Sequence, residues 1–507
     1  MPLRVLHLLW LCVLALAAPA HANKADDTLR VVWGADGPLD SVDFYFSTKP
    51  AGREIAALVW DTLVWRDPTD FSYKPLLAKA WRQVDDTTLE FDLRDDVWFQ
   101  DGSKFSAADV VGTVNTVAVP DFKVAVQRNV NWIAAAVQTG MYRVRIVSKL
   151  PFPPALDYIA TTLPIYPAEH YAAVGPERMS AHPIGTGPYR MVSVEIGKAY
   201  RMVRNDNYFK GSPKGDRFIK TIEVREMPDG QMRVAELLAH RADMTWGIST
   251  DQLQQIAGRK GIAVARAETM RVGYLGLDAA RRSGTPALQN LDVRRAIAYA
   301  VNRQSIAQNL MGVPARVLDA PCHPQMFGCI SEAAHHYDYA PDKARDLLHA
   351  SGYEGKVAFD FYVDPMMQAA GEAVVADLAK VGITARPRIL ELPALQEMQI
   401  NDRAPMVLLS WDAQSVDDVS EMISYFFRPG KRDYARDPEL HGWLVDADAT
   451  MDVAKRKELY AKAIDRITDQ VYWLPLFTFV RNYAFTDQVA FTPSADELVR
   501  LYRVHWN

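Results

Sequence analysis

Between Leu89 and Arg94, apolar and charged residues alternate one for one: Leu89, Phe91 and Leu93 against Glu90, Asp92 and Arg94. That period of two predicts a strand with one buried face. Asp101-Gly102 then supplies turn chemistry. Ser106, followed three residues later by Asp109, has the spacing of a capping box in front of an apolar run. From Glu54 to Trp65 the period lengthens, and Ile55, Leu58, Val59, Thr62 and Leu63 form the stripe of an amphipathic helix. Both periods recur along the chain. Leu29–Trp33, Tyr142–Val147, Ala199–Arg204 and Thr221–Arg225 read as strands, and Gln231–Ala239 as a helix. Val293, Ala296, Ile297, Ala300 and Val301 share one helical stripe, with Arg294 and Arg295 on the other side and Asn290 placed to cap the start. Pro341 to Tyr353 has Pro at its first turn and Gly352 past its end, which predicts a short helix. Ala358–Val363, Gly371–Lys380 and Ile383–Leu390 make strand, helix and strand, a unit that implies parallel pairing. Val407–Asp412 and Trp473–Phe479 are strand-like, and helices are expected near Met422–Phe427 and over Val453–Gln470. The mixture is that of an α/β protein.

The start of the chain departs from this pattern. Arg4 precedes an apolar run from Val5 to Ala18, and Ala20-His21-Ala22 is a small-x-small cleavage site. Residues 1–22 therefore read as a secretory signal peptide, with an apolar core too short for a membrane span. Cys12 lies inside that run without the small residues that precede a lipid-modified cysteine. No later segment approaches 18 uninterrupted apolar residues, so the mature chain is expected to be soluble. At about 150 residues per domain its length suggests roughly three lobes or subdomains.

The net charge of −5 and the lack of a long basic run argue against nucleic acid or anionic lipid as a partner. Twelve Trp, 21 Tyr and 19 Phe are plentiful; most must be core, and a surplus suits a stacking, enclosing pocket. Cys322 and Cys329, with six residues between them, are most simply a disulfide in an oxidising compartment. A metal reading would recruit His323, His335 and His336, but the spacing matches no standard zinc pattern. No His-Glu-x-x-His, Gly-x-Ser-x-Gly or Walker lysine loop occurs, and no cysteine is left over for nucleophilic work. The acidic pairs Asp85-Asp86 and Asp446 with Asp448 read as solvated surface. The chain is not expected to be an enzyme.

Four blocks carry a family resemblance: Lys74 to Val110, then Gly185-Thr186-Gly187-Pro188, then Gly273-Tyr274-Leu275-Gly276-Leu277-Asp278, then Asn290 to Arg303. In this order they resemble the extracytoplasmic solute-binding proteins of ABC importers, in the large peptide/nickel-binding family (family 5). The resemblance implies a two-lobed periplasmic-binding-protein fold, of the class with an extra subdomain in the first lobe, and a hinge between the lobes. Residues 23–65, 181–268 and 480–507 would form the core of lobe I, 66–180 its extra subdomain and 269–479 lobe II, with crossings near 265–271 and 478–482. It further implies a periplasmic monomer that needs no cofactor, binds a peptide or amino-acid-derived solute and delivers it to an ABC permease. A metal chelate, an opine-like conjugate or an oligosaccharide is the alternative ligand, and a ligand-sensing receptor without transport the alternative role.

The same resemblance points to ligand-binding residues. In peptide-binding relatives a Gly-Trp at a strand end is followed three residues on by an aspartate that pairs with the ligand's ammonium. Here Ser410-Trp411 stands in that place and the aspartate position is Gln414, a neutral amide. Asp412 and Asp417 are the nearby carboxylates that could substitute. Trp411, Trp246, Tyr274, Phe44 and Tyr45 are candidate walls of the pocket. A carboxylate on the ligand would call for an arginine fork, with Arg53 and Arg271 among the choices.

Overall fold

The structure, a computed structural model, describes residues 24–34, 37–412 and 416–507; the expected signal peptide and Gln414 lie outside them. Two long antiparallel strands, Ile262–Leu277 and Trp473–Thr486, run side by side through the middle of a ten-stranded sheet. On one flank lie Met244–Trp246, Thr28–Trp33, Thr221–Glu226, Ala199–Arg204 and Tyr189–Glu195; on the other lie Met406–Trp411, Ala358–Val363 and Thr384–Ile389. Each flank builds its own core. Leu29, Trp60, Phe91, Tyr166 and Met244 belong to the first, and Leu275, Phe361, Val374 and Phe477 to the second. The result is the two-lobed α/β fold, with the central strand pair passing from one lobe to the other.

That pair is interrupted at one place. The register runs Glu268 opposite Val480 and resumes at Val272 opposite Thr478, so Thr269 to Arg271 face the single Phe479. Extra residues on one strand of an antiparallel pair bend it and strengthen its twist. A second, four-stranded antiparallel sheet of Ala78–Asp85, Thr88–Leu93, Arg143–Ser148 and Ile133–Gly140 lies within 66–180.

Local patterning is met closely in several places. Ser106 and Asp109 form the reciprocal box at the start of the helix Ala107–Val117, with Asp109 Oδ2 accepting from Ser106 N at 2.9 Å. Asn290 Oδ1 accepts from Asp292 N at 2.8 Å and caps Leu291–Ala300. The strands Ala358–Val363 and Thr384–Ile389 pair in parallel through the helix Gln368–Ala379. Cys322 and Cys329 are disulfide-bonded, with Cα atoms 5.9 Å apart. So short a loop limits the contribution to at most about 2–3 kcal/mol. Among the described residues no three His, Cys, Asp or Glu side chains are placed to hold a metal ion, and no helix is long and apolar enough to cross a membrane.

Three expectations need correction. Asp448, read with Asp446 as solvated surface, accepts from Ser424 Oγ at 2.9 Å and Tyr460 OH at 3.0 Å, and burial pushes its carboxyl up to about 6. The helix read as Glu54–Trp65 is Pro50–Val59, and Val64–Arg66 is a strand. The Gly-Thr-Gly-Pro turn ends it: Gly187 N donates to Val59 O at 2.9 Å, and a Cβ on Gly185 would stand 2.0 Å from that same oxygen. Only glycine allows this approach, and Trp60 turns to extended backbone. Arg294, read as facing outward, is buried. Its guanidinium donates to the carbonyls of Leu288, Gln289 and Gln470 at 2.8–3.0 Å. Burial without a carboxylate partner pushes its pKa down to about 10.

Candidate ligand-binding site

The strand Met406–Trp411 pairs with the second half of Ile262–Leu277 and ends at the junction of the lobes. Its last residues therefore stand at that junction. The bulge beside it carries Arg271 out of the ladder, and Arg271 Nη2 lies 2.9 Å from Asp412 Oδ2 and 3.0 Å from Glu497 Oε2. Arg53, on the helix Pro50–Val59 of the first lobe, brings Nη2 to 3.9 Å from the same Asp412 oxygen. The four side chains are only 13–22% exposed. Burial alone would raise the Glu497 carboxyl, but Arg271 and Arg481 together hold that group below the usual range. Arg53 and Glu497 come from the first lobe, Arg271 and Asp412 from the second. Each lobe thus offers one cation and one anion to the same small space.

Trp411 sits beside this cluster in a second contact between the lobes. Its ring stacks on Tyr425 with centroids 4.7 Å apart, and its Nε1 donates to Glu421 O at 2.7 Å. Arg128, from the 3-10 turn Gln127–Asn129, lays its guanidinium 5.3 Å from the Trp411 ring and 5.2 Å from that of Tyr425. Arg128 Nε also pairs with Glu421 Oε2 at 2.9 Å, and Tyr158 OH donates to the other Glu421 oxygen. Burial pushes the Glu421 carboxyl up, with Arg128 opposing.

Asp417 makes a third contact. Its backbone N–H donates to Asp157 Oδ2 at 2.6 Å, and its side chain accepts from Phe327 N at 3.2 Å. Asp157 is itself gripped by Arg66 at 2.8 and 2.9 Å. Burial, then the facing Asp157 charge, raise Asp417 to about 7 against the pull of Arg66.

The other residues singled out from sequence lie farther inside. Phe44 and Tyr45 form a 3-10 turn on the wall of the first lobe, fixed by Phe44 N donating to Tyr166 OH at 3.0 Å and Tyr45 OH donating to Pro164 O at 2.7 Å. Trp246 packs edge-on against Trp33 at 5.9 Å in the first lobe's core. Tyr274 stacks at 3.5 Å on Trp473 inside the second lobe. Neither joins the ion cluster. The structure therefore brings together Trp411, Asp412 and Asp417 with Arg53 and Arg271. Arg128, Asp157, Tyr158, Glu421 and Glu497 were not foreseen. Tyr158 and Glu421 are 263 positions apart, and no local pattern marks either.

A junction of charged and aromatic groups between two lobes, linked by a bent strand pair, is the arrangement of a protein that closes around a solute. Residues 72–433 match the bacterial extracellular solute-binding proteins, family 5 (middle), and the chain belongs to that family. It is 26% identical over 523 residues to the probable ABC transporter periplasmic-binding protein SapA of Escherichia coli K12, covering 92% of this chain and 90% of that one. Similarity to heme-binding protein A of Haemophilus influenzae is 24% over 332 residues, 63% of this chain and 59% of that protein. Among solved structures, a dipeptide-binding protein from Pseudoalteromonas sp. SM9913 in complex with Met-Leu superposes with a TM-score of 0.78 at 22% identity, covering 94% of this chain and 100% of that one.

Proposed function

We propose that this chain is the periplasmic substrate-binding component of an ABC importer. It captures a peptide or amino-acid-derived solute between its lobes and hands it, chemically unchanged, to a membrane permease. Export through a cleaved signal peptide and action as a monomer belong to the same reading. The observation that carries it is the cluster of Arg53, Arg271, Asp412 and Glu497, two cations and two anions drawn from both lobes. A zwitterion can exchange into such a cluster. Its carboxylate replaces Asp412 beside the arginines, and its ammonium takes the carboxylate so released. Because every charge keeps a partner, the exchange avoids the large cost of burying an unpaired ion. Asp412 would then do what the family's aspartate does in peptide-binding relatives, from a position two residues earlier than Gln414.

A thermal-shift screen of the purified mature protein tests this, since a solute at a hundredfold excess over Kd stabilises by about 2.7 kcal/mol. Dipeptides with a free amino terminus should raise the unfolding temperature, and their N-acetylated forms, which lack the ammonium, should not. A response to a nickel chelate or an oligosaccharide but to no peptide would replace this reading.

A further inference from the structure

The chain around the Cys322–Cys329 disulfide is fastened at two places. Ahead of the loop, Arg316 donates from its backbone N to Thr478 Oγ1 at 3.1 Å and from Nε to Glu268 Oε1 at 2.5 Å. Buried His323 brings Nε2 to 3.7 Å from the same Glu268 oxygen. Glu268 and Thr478 belong to the rungs on the two sides of the strand bulge. Inside the loop, Phe327 makes the second attachment, to the segment 417–421. Its N–H donates to Asp417 Oδ1 at 3.2 Å, its carbonyl accepts from Val419 N at 3.0 Å, and its ring centroid lies 4.7 Å from Arg456 Cζ.

That attachment is tight. Arg456 is itself buried and holds the Asp418 carboxylate at 2.8 and 3.0 Å, and Asp418 caps the 3-10 turn Val419–Glu421. A Cβ on Gly328 would stand 2.7 Å from the Tyr460 ring and 2.9 Å from the Val419 side chain, so loop and segment lie in direct contact. The same segment makes the meeting with the first lobe. It presents the Glu421 carboxylate to Arg128 and Tyr158, and the Asp417 N–H to Asp157. A loop this short adds little to overall stability. The local order of an irregular stretch, by contrast, is set by the few contacts that hold it.

We propose that the disulfide-closed loop is a positioning element for solute capture, with Phe327 as its positioning residue. The disulfide fixes Phe327, and Phe327 holds 417–421 in the shape that receives Arg128, Tyr158 and Asp157 when the lobes meet. What is captured rests on the function proposed above; the ordering of 417–421 rests on the contacts of Phe327 alone.

Cys322→Ala combined with Cys329→Ala in the intact mature protein tests it by two measurements. In the solute-free protein, amide exchange over 417–422, followed by mass spectrometry, should quicken at least tenfold, while the helix Val453–Asp469 stays within twofold of the parent. In titration with a dipeptide that raises the unfolding temperature, the variant should bind at least tenfold more weakly. Added to Arg128→Ala, it should cost at least threefold less than the product of the two separate losses, because both act through Glu421. Phe327→Ala, which keeps the disulfide, carries the same expectations should the cysteine variant fail to fold. Exchange over 417–422 within twofold of the parent, or losses that multiply in full, overturn the positioning role and leave the proposed function standing. If no dipeptide binds, the peptide reading falls, and the exchange result alone decides whether the loop orders 417–421.

Discussion

Arg128→Ala is expected to weaken solute binding by about a hundredfold while leaving the solute-free protein folded. Arg128 reaches across the junction to Glu421, Trp411 and Tyr425 of the other lobe. Its removal strips a buried carboxylate of the one cation paired with it among the described residues. Breaking a buried pair from one side costs about 3–5 kcal/mol. Because Arg128 retains some exposure, the lower end applies, and about 3 kcal/mol is roughly two decades of affinity. The cost falls on the closed form, since the contact exists only when the lobes meet. Glu421→Gln added to Arg128→Ala should restore part of the loss, and the double-mutant cycle isolates the pair. Titration with a responding dipeptide gives the answer; affinity within twofold of the parent would remove Arg128 from the closing mechanism.

Binding is also expected to tighten by about tenfold between pH 8 and pH 6. Asp417 is raised to about 7 where the lobes meet, whereas a solvated aspartate titrates near 4. The closed form therefore takes up a proton that the open form does not. Its advantage is full at low pH and is lost as pH rises through 7. The groups facing Asp417 fit this sign: Asp157 across the cleft and Asp418 beside it push the proton on, and Arg66 only partly opposes them. Glu421, raised by burial at the same junction, acts in the same direction. Asp43 and Asp448 are likewise raised to about 6, but their partners lie within one lobe. Tyr166 and Tyr171 hold the first, Ser424 and Tyr460 the second, so their contributions cancel between open and closed forms. Asp417→Asn should flatten the pH dependence while keeping the acceptor for Phe327 N. A slope unchanged by that substitution would assign the proton to another group.

What could be read from the chain was local, or lay beside a motif. The alternation at 89–93, the Ser106–Asp109 box and the Asn290 cap are set by residues within a few positions of one another, and the structure forms all three. The end of the helix Pro50–Val59 was not legible because a turn some 130 residues later, at Gly185 and Gly187, closes over Val59. Arg294 looked solvent-facing because its partners are carbonyl groups, which leave no mark in the sequence. The strand starting at Trp473 was seen only as far as Phe479. Beyond the bulge it continues to Thr486, pairing with Ile262–Glu268 in the first lobe. The site divides in the same way. Trp411, Asp412 and Asp417 were found through the strand end that the family resemblance marks, and Arg53 and Arg271 stood among several arginines. Arg128 with Glu421 and Asp157 with the Asp417 backbone are meetings between lobes, which period and spacing do not record.

The two lobes are expected to close on a solute by bending where Thr269 to Arg271 stand opposite Phe479. Pulsed dipolar spectroscopy between spin labels at Thr139 and Ala454, exposed positions on the extra subdomain and the second lobe, measures this directly. A saturating dipeptide that raises the unfolding temperature should shorten the label separation by several ångströms and narrow its distribution. The same distribution with and without bound dipeptide would mean that the lobes do not close on the solute.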